Sequence, residues 1–308
     1  MSFDYWFMFP ISIAIATIAM ASGVEGATFF TPLFILLLRL PAEVAIGTGL
    51  ITEVFGFSSG LFAYIRKGLI DFKLGKMLLL VSIPSALLGT WLAKLIPADA
   101  LKAMLGVGLF VIATSFLRSP EPATLEILDK EIKIHQNSIP QTCITSRNGE
   151  TFCYTVANRT EGRLLISIGA LFLGMVSTGL GELNGYFLIQ RCRVPSKVAV
   201  ATSVFIVAIT ALIASIGHVL QFAQAGGESL QTVLSLVTFT APGVLIGAQL
   251  GSLVATRLSQ HLLERSMGIL FILVGAIVLL ELALRNRETA LSLIKQFALL
   301  INIDLAFF

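Results

Sequence analysis

The sequence predicts an all-α, polytopic membrane protein made of two inverted repeats with a small β-hairpin insert between them, and three observations carry that prediction. The first is composition: 56% of the 308 residues are hydrophobic and 13% are charged, against roughly 25% charged in soluble domains. Most of such a surface faces something other than water. The second is a series of ten apolar stretches, several of them close to the ~20 residues that span a bilayer as a helix. The third is that the two halves of the chain carry the same marks in the same order, as duplicated transporter folds do. A net charge of +3 is too weak for a nucleic-acid partner. Three cysteines with no C-x-x-C, and no H-E-x-x-H, point away from a disulfide framework and a metal site.

The first apolar stretch covers residues 7–22. Asp4 precedes it, no basic run does, and no small-residue cleavage pattern follows, so it is expected to be retained rather than removed as a signal peptide. Stretches at 27–39, 42–65, 76–96 and 99–117 complete the first half. Those at 164–178, 183–192, 197–220, 230–256 and 260–284 make up the second. The first two of each half are short: as helices they rise about 24 and 20 Å against a hydrocarbon core of about 30 Å. They are expected to be half-helices or a re-entrant hairpin.

The repeat is visible residue by residue. Arg39-Leu40-Pro41-Ala42-Glu43-Val44-Ala45-Ile46-Gly47-Thr48 aligns with Arg193-Val194-Pro195-Ser196-Lys197-Val198-Ala199-Val200-Ala201-Thr202, and Pro84-Ser85-Ala86-Leu87-Leu88-Gly89 with Pro242-Gly243-Val244-Leu245-Ile246-Gly247. Five stretches per half is an odd number, so the second half is expected upside down. Lysine and arginine agree: 15 of the 21 fall in the loops that become cytoplasmic when both termini lie outside, as the positive-inside rule requires. Gly243, Gly247 and Gly251, with Ser85, Gly89 and Ala93 in the matching places, form small-xxx-small rows that allow close helix contact.

The chain thus divides into a first transmembrane repeat (1–118), a polar insert (119–162), a second repeat (163–286) and a tail (287–308) expected to lie along the membrane interface. The insert opens with a charged run from Glu121 to Lys133, expected to be helical. Residues 141–156 follow as a β-hairpin around Asn148-Gly149. A two-residue turn places Cys143 opposite Tyr154, and a three-residue loop with Gly149 left-handed places it opposite Cys153; the sequence leaves both open. In a cytoplasmic insert the two thiols are expected to stay reduced.

Chemistry concentrates at the breaks between the short segments, Ser22-Gly23-Val24-Glu25-Gly26-Ala27-Thr28 and Ser177-Thr178-Gly179-Leu180-Gly181-Glu182-Leu183-Asn184-Gly185. Irregular backbone at membrane depth survives only where protein or a water-filled cavity covers it. Half-helices starting near Ala27 and Leu183 aim free N–H groups and positive dipole ends into that cavity, which suits an anion. The expected anion-binding set is Gly23, Gly26, Ala27, Thr28, Thr48, Gly181, Asn184, Gly185, Thr202 and Ser203, with Thr52 in support. Glu25, Glu182 and Glu53 repel an anion when ionised and hold a proton when buried, so they are the expected proton-coupling residues. Gly56-Phe57-Ser58-Ser59-Gly60 fits G-x-S-x-G and His218 lies in the matching segment of the other half, but a nucleophile elbow needs a strand-turn-helix setting that an apolar helix does not offer.

With those residues in place, the chain resembles the sulfite exporter TauE/SafE family of membrane permeases. The likeness is densest from Gly181-Glu182-Leu183-Asn184-Gly185-Tyr186-Phe187-Leu188 through Pro195-Ser196-Lys197-Val198-Ala199-Val200-Ala201-Thr202-Ser203 and runs over nearly all of residues 7–284. Gly23-Val24-Glu25-Gly26 departs from it, since many relatives carry a denser glycine run there. The resemblance implies a secondary transporter in the cell membrane, not an enzyme, that moves a small sulfur-containing anion such as sulfite or an organosulfonate. The partners implied are a small inorganic or organic anion, protons and the lipid bilayer, with room for a homo-oligomer; no cofactor is called for. The alternative is a membrane scaffold or sulfur-relay protein using the hairpin cysteines.

Overall fold

The computed structural model describes residues 5–22, 25–117, 142–156, 159–224, 228–254 and 260–285; the expected helix from 121 to 133 and the interfacial tail lie outside them. The described residues are mostly helical. The first half contains α1 (Met8–Ser22), α2 (Ala27–Leu36), α3 (Ala42–Lys67), α4 (Phe72–Ala93) and α5 (Ala98–Leu117). A hairpin of β1 (Thr142–Thr145) and β2 (Thr151–Tyr154) follows. The second half contains α6 (Arg159–Val176), α7 (Leu180–Gly185), α8 (Ser196–Gln224), α9 (Glu228–Val254) and α10 (Gln260–Arg285). A π-helical stretch, Tyr186–Arg191, continues α7 directly. Among the described residues, four helical stretches, 42–67, 72–93, 197–224 and 229–251, are long and apolar enough to cross a membrane. Leu80, Trp91, Ile216 and Leu280 are each more than half exposed on the outside of the bundle, where apolar side chains are stable only against lipid.

Local chemistry sets the helix ends. α3 stops at Gly68, which adopts φ 66° as a left-handed C-cap, a conformation that costs glycine nothing. α4 starts four residues earlier than its apolar stretch because Asp71 caps it: Oδ1 accepts the Leu74 N–H at 2.9 Å, satisfying one of the orphan donors of the first turn. The two Arg-x-Pro corners are the same local structure. Arg39 and Arg193 both sit at φ 52°, and Leu40 N–H to Phe34 C=O is matched by Val194 N–H to Leu188 C=O, at 3.1 and 2.8 Å. Such a bond over a left-handed residue, reaching back six positions, one more than in the Schellman motif, closes a helix C-terminus.

Packing pairs the helices across the halves. α3 and α8 lie against each other at the centre, α4 packs on α8 and α9 on α3, while α1 lies along α9, α6 along α4 and α5 along α10. The small-residue rows permit it: a Cβ on Gly89 would meet the Leu171 carbonyl of α6, and one on Gly247 would meet the Ile13 carbonyl of α1. Gly247 follows Gly89, and Leu171 follows Ile13, by the same 158 residues. Lys102 and Glu281 join α5 to α10 at 3.1 Å.

The hairpin takes the register with Cys143 opposite Cys153. Gly149 is left-handed at φ 83°, and Ser146 and Glu150 close a three-residue loop through the Ser146 N–H to Glu150 C=O bond of 2.8 Å. The expectation of reduced thiols does not hold in this structure, where Cys143 and Cys153 form a disulfide. The cause is the register: three places beyond the Ser146–Glu150 pair that closes the loop, the cysteines face each other across a non-hydrogen-bonded position, where opposed residues come closest, here with Cα atoms 4.1 Å apart.

Thr142, Ile144, Phe152 and Tyr154 turn toward the bundle, and both cysteines turn to solvent. Tyr154 O–H donates to Asp71 Oδ2 at 2.7 Å, Arg147 N–H donates to the Lys67 carbonyl at 3.0 Å, and Lys197, at the start of α8, pairs with Glu150 at 2.8 Å. Burial, followed by the hydrogen bond to Asp71 and its negative charge, pushes the Tyr154 phenol well above its ordinary range.

Candidate functional site

Both breaks fall where glycine and carboxylate crowd the sequence. α2 begins at Ala27 behind Gly26, as expected. α7 begins at Leu180, three residues before the expected start, because Gly179 turns the chain at φ 109° and Glu182 reaches back to it. Glu182 Oε2 accepts the Gly179 N–H at 3.1 Å, the carboxylate half of a capping box. Gly185 therefore lies at the far end of α7 instead of among the free amides. A Cβ placed there meets nothing within 4 Å.

One carboxylate reaches a helix-start amide across the halves, and two lie against amides of their own half. Glu25, buried at the first break, accepts the Gly181 N–H of the second break on Oε1. Glu53 of α3, also buried, lies beside the amides of Gly26 and Ala27, short of hydrogen-bond geometry. Glu25 stands within electrostatic range of both Glu182 and Glu53, so the three predicted proton-coupling carboxylates share one region. Glu25 Oε2, Glu182 Oε1 and both Glu53 oxygens are buried with no hydrogen-bond partner. Buried polar atoms are almost always satisfied, and these three side chains bring four carboxylate oxygens without a protein partner to the two helix starts.

Asn184 adds to it: the side chain is fully buried and neither amide atom has a partner. Thr28, fully buried, shares a hydrogen bond of 2.9 Å with Thr178. The remaining predicted residues are used differently. Thr48 donates to the Val44 carbonyl at 2.6 Å, the local back-bond common to hydroxyls in helices. Thr202 accepts the Asp71 N–H at 3.0 Å and so belongs to the hairpin end of the bundle. Ser203 is half-buried on α8, and Gly23 lies outside the described residues.

Sequence reasoning passed over a set of buried hydroxyl pairs that tie the halves together: Thr31 with Ser177 at 2.5 Å, Thr52 with Thr240 at 2.8 Å and Ser82 with Thr210 at 2.9 Å. The only signal was an isolated hydroxyl inside an apolar run, which by itself reads as a local back-bond. Ser58 of the G-x-S-x-G match sits in the middle of α3 and donates to the Val54 carbonyl at 2.6 Å. His218 Nε2 lies 3.0 Å from the Gly174 carbonyl.

A bundle of apolar helices with two broken helices whose starts meet buried carboxylates defines a membrane transporter. The family model of the sulfite exporter TauE/SafE matches residues 8–278, and the chain belongs to that family. It is 26% identical over 239 residues to the probable membrane transporter protein YunE of Bacillus subtilis, covering 78% of this chain and 81% of that one. With the probable membrane transporter protein YjnA of the same organism it is 28% identical over 255 residues, covering 79% and 88%. No solved structure matches the chain. The protein is accordingly a multi-pass membrane transporter.

Proposed function

We propose that the protein moves a small sulfur-containing anion, sulfite or an organosulfonate, across the bacterial plasma membrane, that protons drive it, and that the two halves form an inverted repeat around the site. The family's description supports the substrate class. The crossed pairing of α1 with α9 and α4 with α6 and the matching Arg39 and Arg193 corners support the repeat.

One observation carries the coupling: a carboxylate of the chain itself lies against the amides at the start of each broken helix, Glu25 and Glu182 at the second break and Glu53 at the first. An amide at a helix start binds an anion, and those of the second break already hold one. Substrate and glutamate compete for the same donors. A proton on Glu25 or Glu182 removes the charge that holds the side chain there, and the substrate anion takes the vacated N–H. When the substrate leaves, the ionised carboxylate returns, so anion and proton occupy the site together.

Sulfite flux into proteoliposomes, with and without an imposed proton gradient, tests the reading against empty liposomes and the Glu182→Gln variant. Flux that follows the gradient and loses that dependence in the variant supports it. Protein-dependent flux indifferent to the gradient removes the coupling, and no flux of sulfite or an organosulfonate removes the substrate class.

A further inference from the structure

The hairpin holds both halves at once. Through Arg147 and Tyr154 it grips the turn between α3 and α4, at the Lys67 carbonyl and the Asp71 carboxylate. Asp71 in turn caps α4 through Leu74 and donates its N–H to Thr202 of α8. Through Glu150 it grips Lys197 at the start of α8, whose ammonium also lies over the Phe152 ring at 5.8 Å. The hairpin thus clasps α3, α4 and α8, the helices that flank the contact between the halves.

Two short strands alone are marginally stable in water. The cross-link between Cys143 and Cys153, ten residues apart, holds this pair together by restricting its open states. Both cysteines face solvent while the neighbouring side chains face the bundle, so the disulfide is within reach of a dissolved nucleophile from the side away from the docked face. With the insert on the cytoplasmic side, where disulfides are transient and act in catalysis or sensing, such a bond is built to be opened.

We propose that the Cys143–Cys153 disulfide is a reaction site for small sulfur nucleophiles and that its opening releases the clasp between the two halves. Sulfite and a low-molecular-weight thiolate share the chemistry. A sulfite dianion attacks one Sγ, the S–S bond breaks, an S-sulfocysteine forms, and the other cysteine leaves as a thiolate; no external oxidant or reductant enters. A thiolate does the same to give a mixed disulfide, and a second thiolate removes the first as its own disulfide, leaving both cysteines reduced. Either product lacks the cross-link. The sulfite arm rests on the substrate class proposed above, and the thiol arm does not.

The full-length protein in detergent, prepared without reductant, is treated separately with sulfite and with glutathione, then analysed by non-reducing peptide mapping and by hydrogen exchange over residues 142–156. Expected are an intact cross-link before treatment, an S-sulfonate on Cys143 or Cys153 after sulfite or two free thiols after glutathione, and loss of exchange protection in the same peptide. The product identifies the nucleophile, and buried Cys192 stays unmodified. Tyr154→Phe is expected to lose protection with the disulfide intact, which shows that the docked contact is what the exchange reads. Cysteines that are free thiols before treatment, a disulfide that survives both reagents, or an opened disulfide with protection unchanged overturn the proposal. None of these depends on flux, so failure here leaves the transport reading standing, and absent flux leaves this one.

Discussion

Glu25, at the break between α1 and α2, accepts the backbone N–H of Gly181 at the break that opens α7. The two residues lie 156 positions apart, and the bond joins one half's carboxylate to the other half's helix start. If that bond is what the substrate replaces, then Glu25→Gln and Glu182→Gln remove the dependence of flux on the proton gradient while the protein stays folded. An amide side chain still accepts the N–H, so thermal unfolding is expected to shift by about 1 kcal/mol or less. Flux that still follows the gradient in both variants excludes these residues from coupling.

The helix crossings give a second prediction. Alanine at Gly89 or Gly247 drives a methyl into a backbone carbonyl of α6 or α1, and overpacking of that kind costs about 1–3 kcal/mol. Alanine at Gly185, where space is open, is expected to be neutral or to gain about 0.5–1 kcal/mol from helix propensity. Melting curves of the three purified variants check the order; Gly185→Ala as damaging as the other two contradicts it.

Asn184 separates binding from folding. Removing a buried polar group that has no partner costs a fold nothing and can relieve about 1–3 kcal/mol. Asn184→Leu, close in size, is therefore expected to keep or raise the melting temperature and to weaken substrate binding, read as a raised half-saturating concentration in flux. A lowered melting temperature with unchanged flux kinetics would make Asn184 a structural residue.

Tyr154 predicts a pH limit for the hairpin. Its phenol is pushed above the ordinary range by burial and by Asp71, so the folded state favours the protonated form. The contribution is fully present below the unfolded value of about 10 and is lost as pH rises beyond it through the higher folded value. Exchange protection across residues 142–156 is expected to hold from neutral pH to about 10 and to fall above it. Tyr154→Phe starts with less protection and shows no such step.

Much of this was legible in the sequence, and the reason is physical. Apolar length fixed which stretches are helices, because in lipid every backbone group must be satisfied internally. The Arg39 and Arg193 corners, the short α2 and the Asn148-Gly149 turn rest on local chemistry that one window of residues contains. The start of α7 lies three residues before the expected one because the signal at Gly179 is a backbone angle, and in the sequence Glu182 reads as a proton carrier, with nothing to show that it is also a cap. Thr48 and Thr202, equivalent in the alignment, have unlike uses: one bonds within its own turn and the other meets Asp71 from a different helix. The register of the hairpin, and with it the disulfide, depended on whether the loop has two residues or three, which Asn-Gly leaves open.

The exchange of α1 and α6 between halves has a consequence for how the chain is made. When residue 117 has entered the membrane, α1 still lacks α9, its partner, and α4 still lacks α6. Gly89 then presents a bare stretch of backbone to lipid until Leu171 is synthesised and inserted, and Ile13 waits for Gly247, nearly the whole length of the chain. The first half thus has to be held in the bilayer as an unfinished surface, and a ribosome that stalls between the halves leaves α1, α4 and α5 each without the helix it packs along.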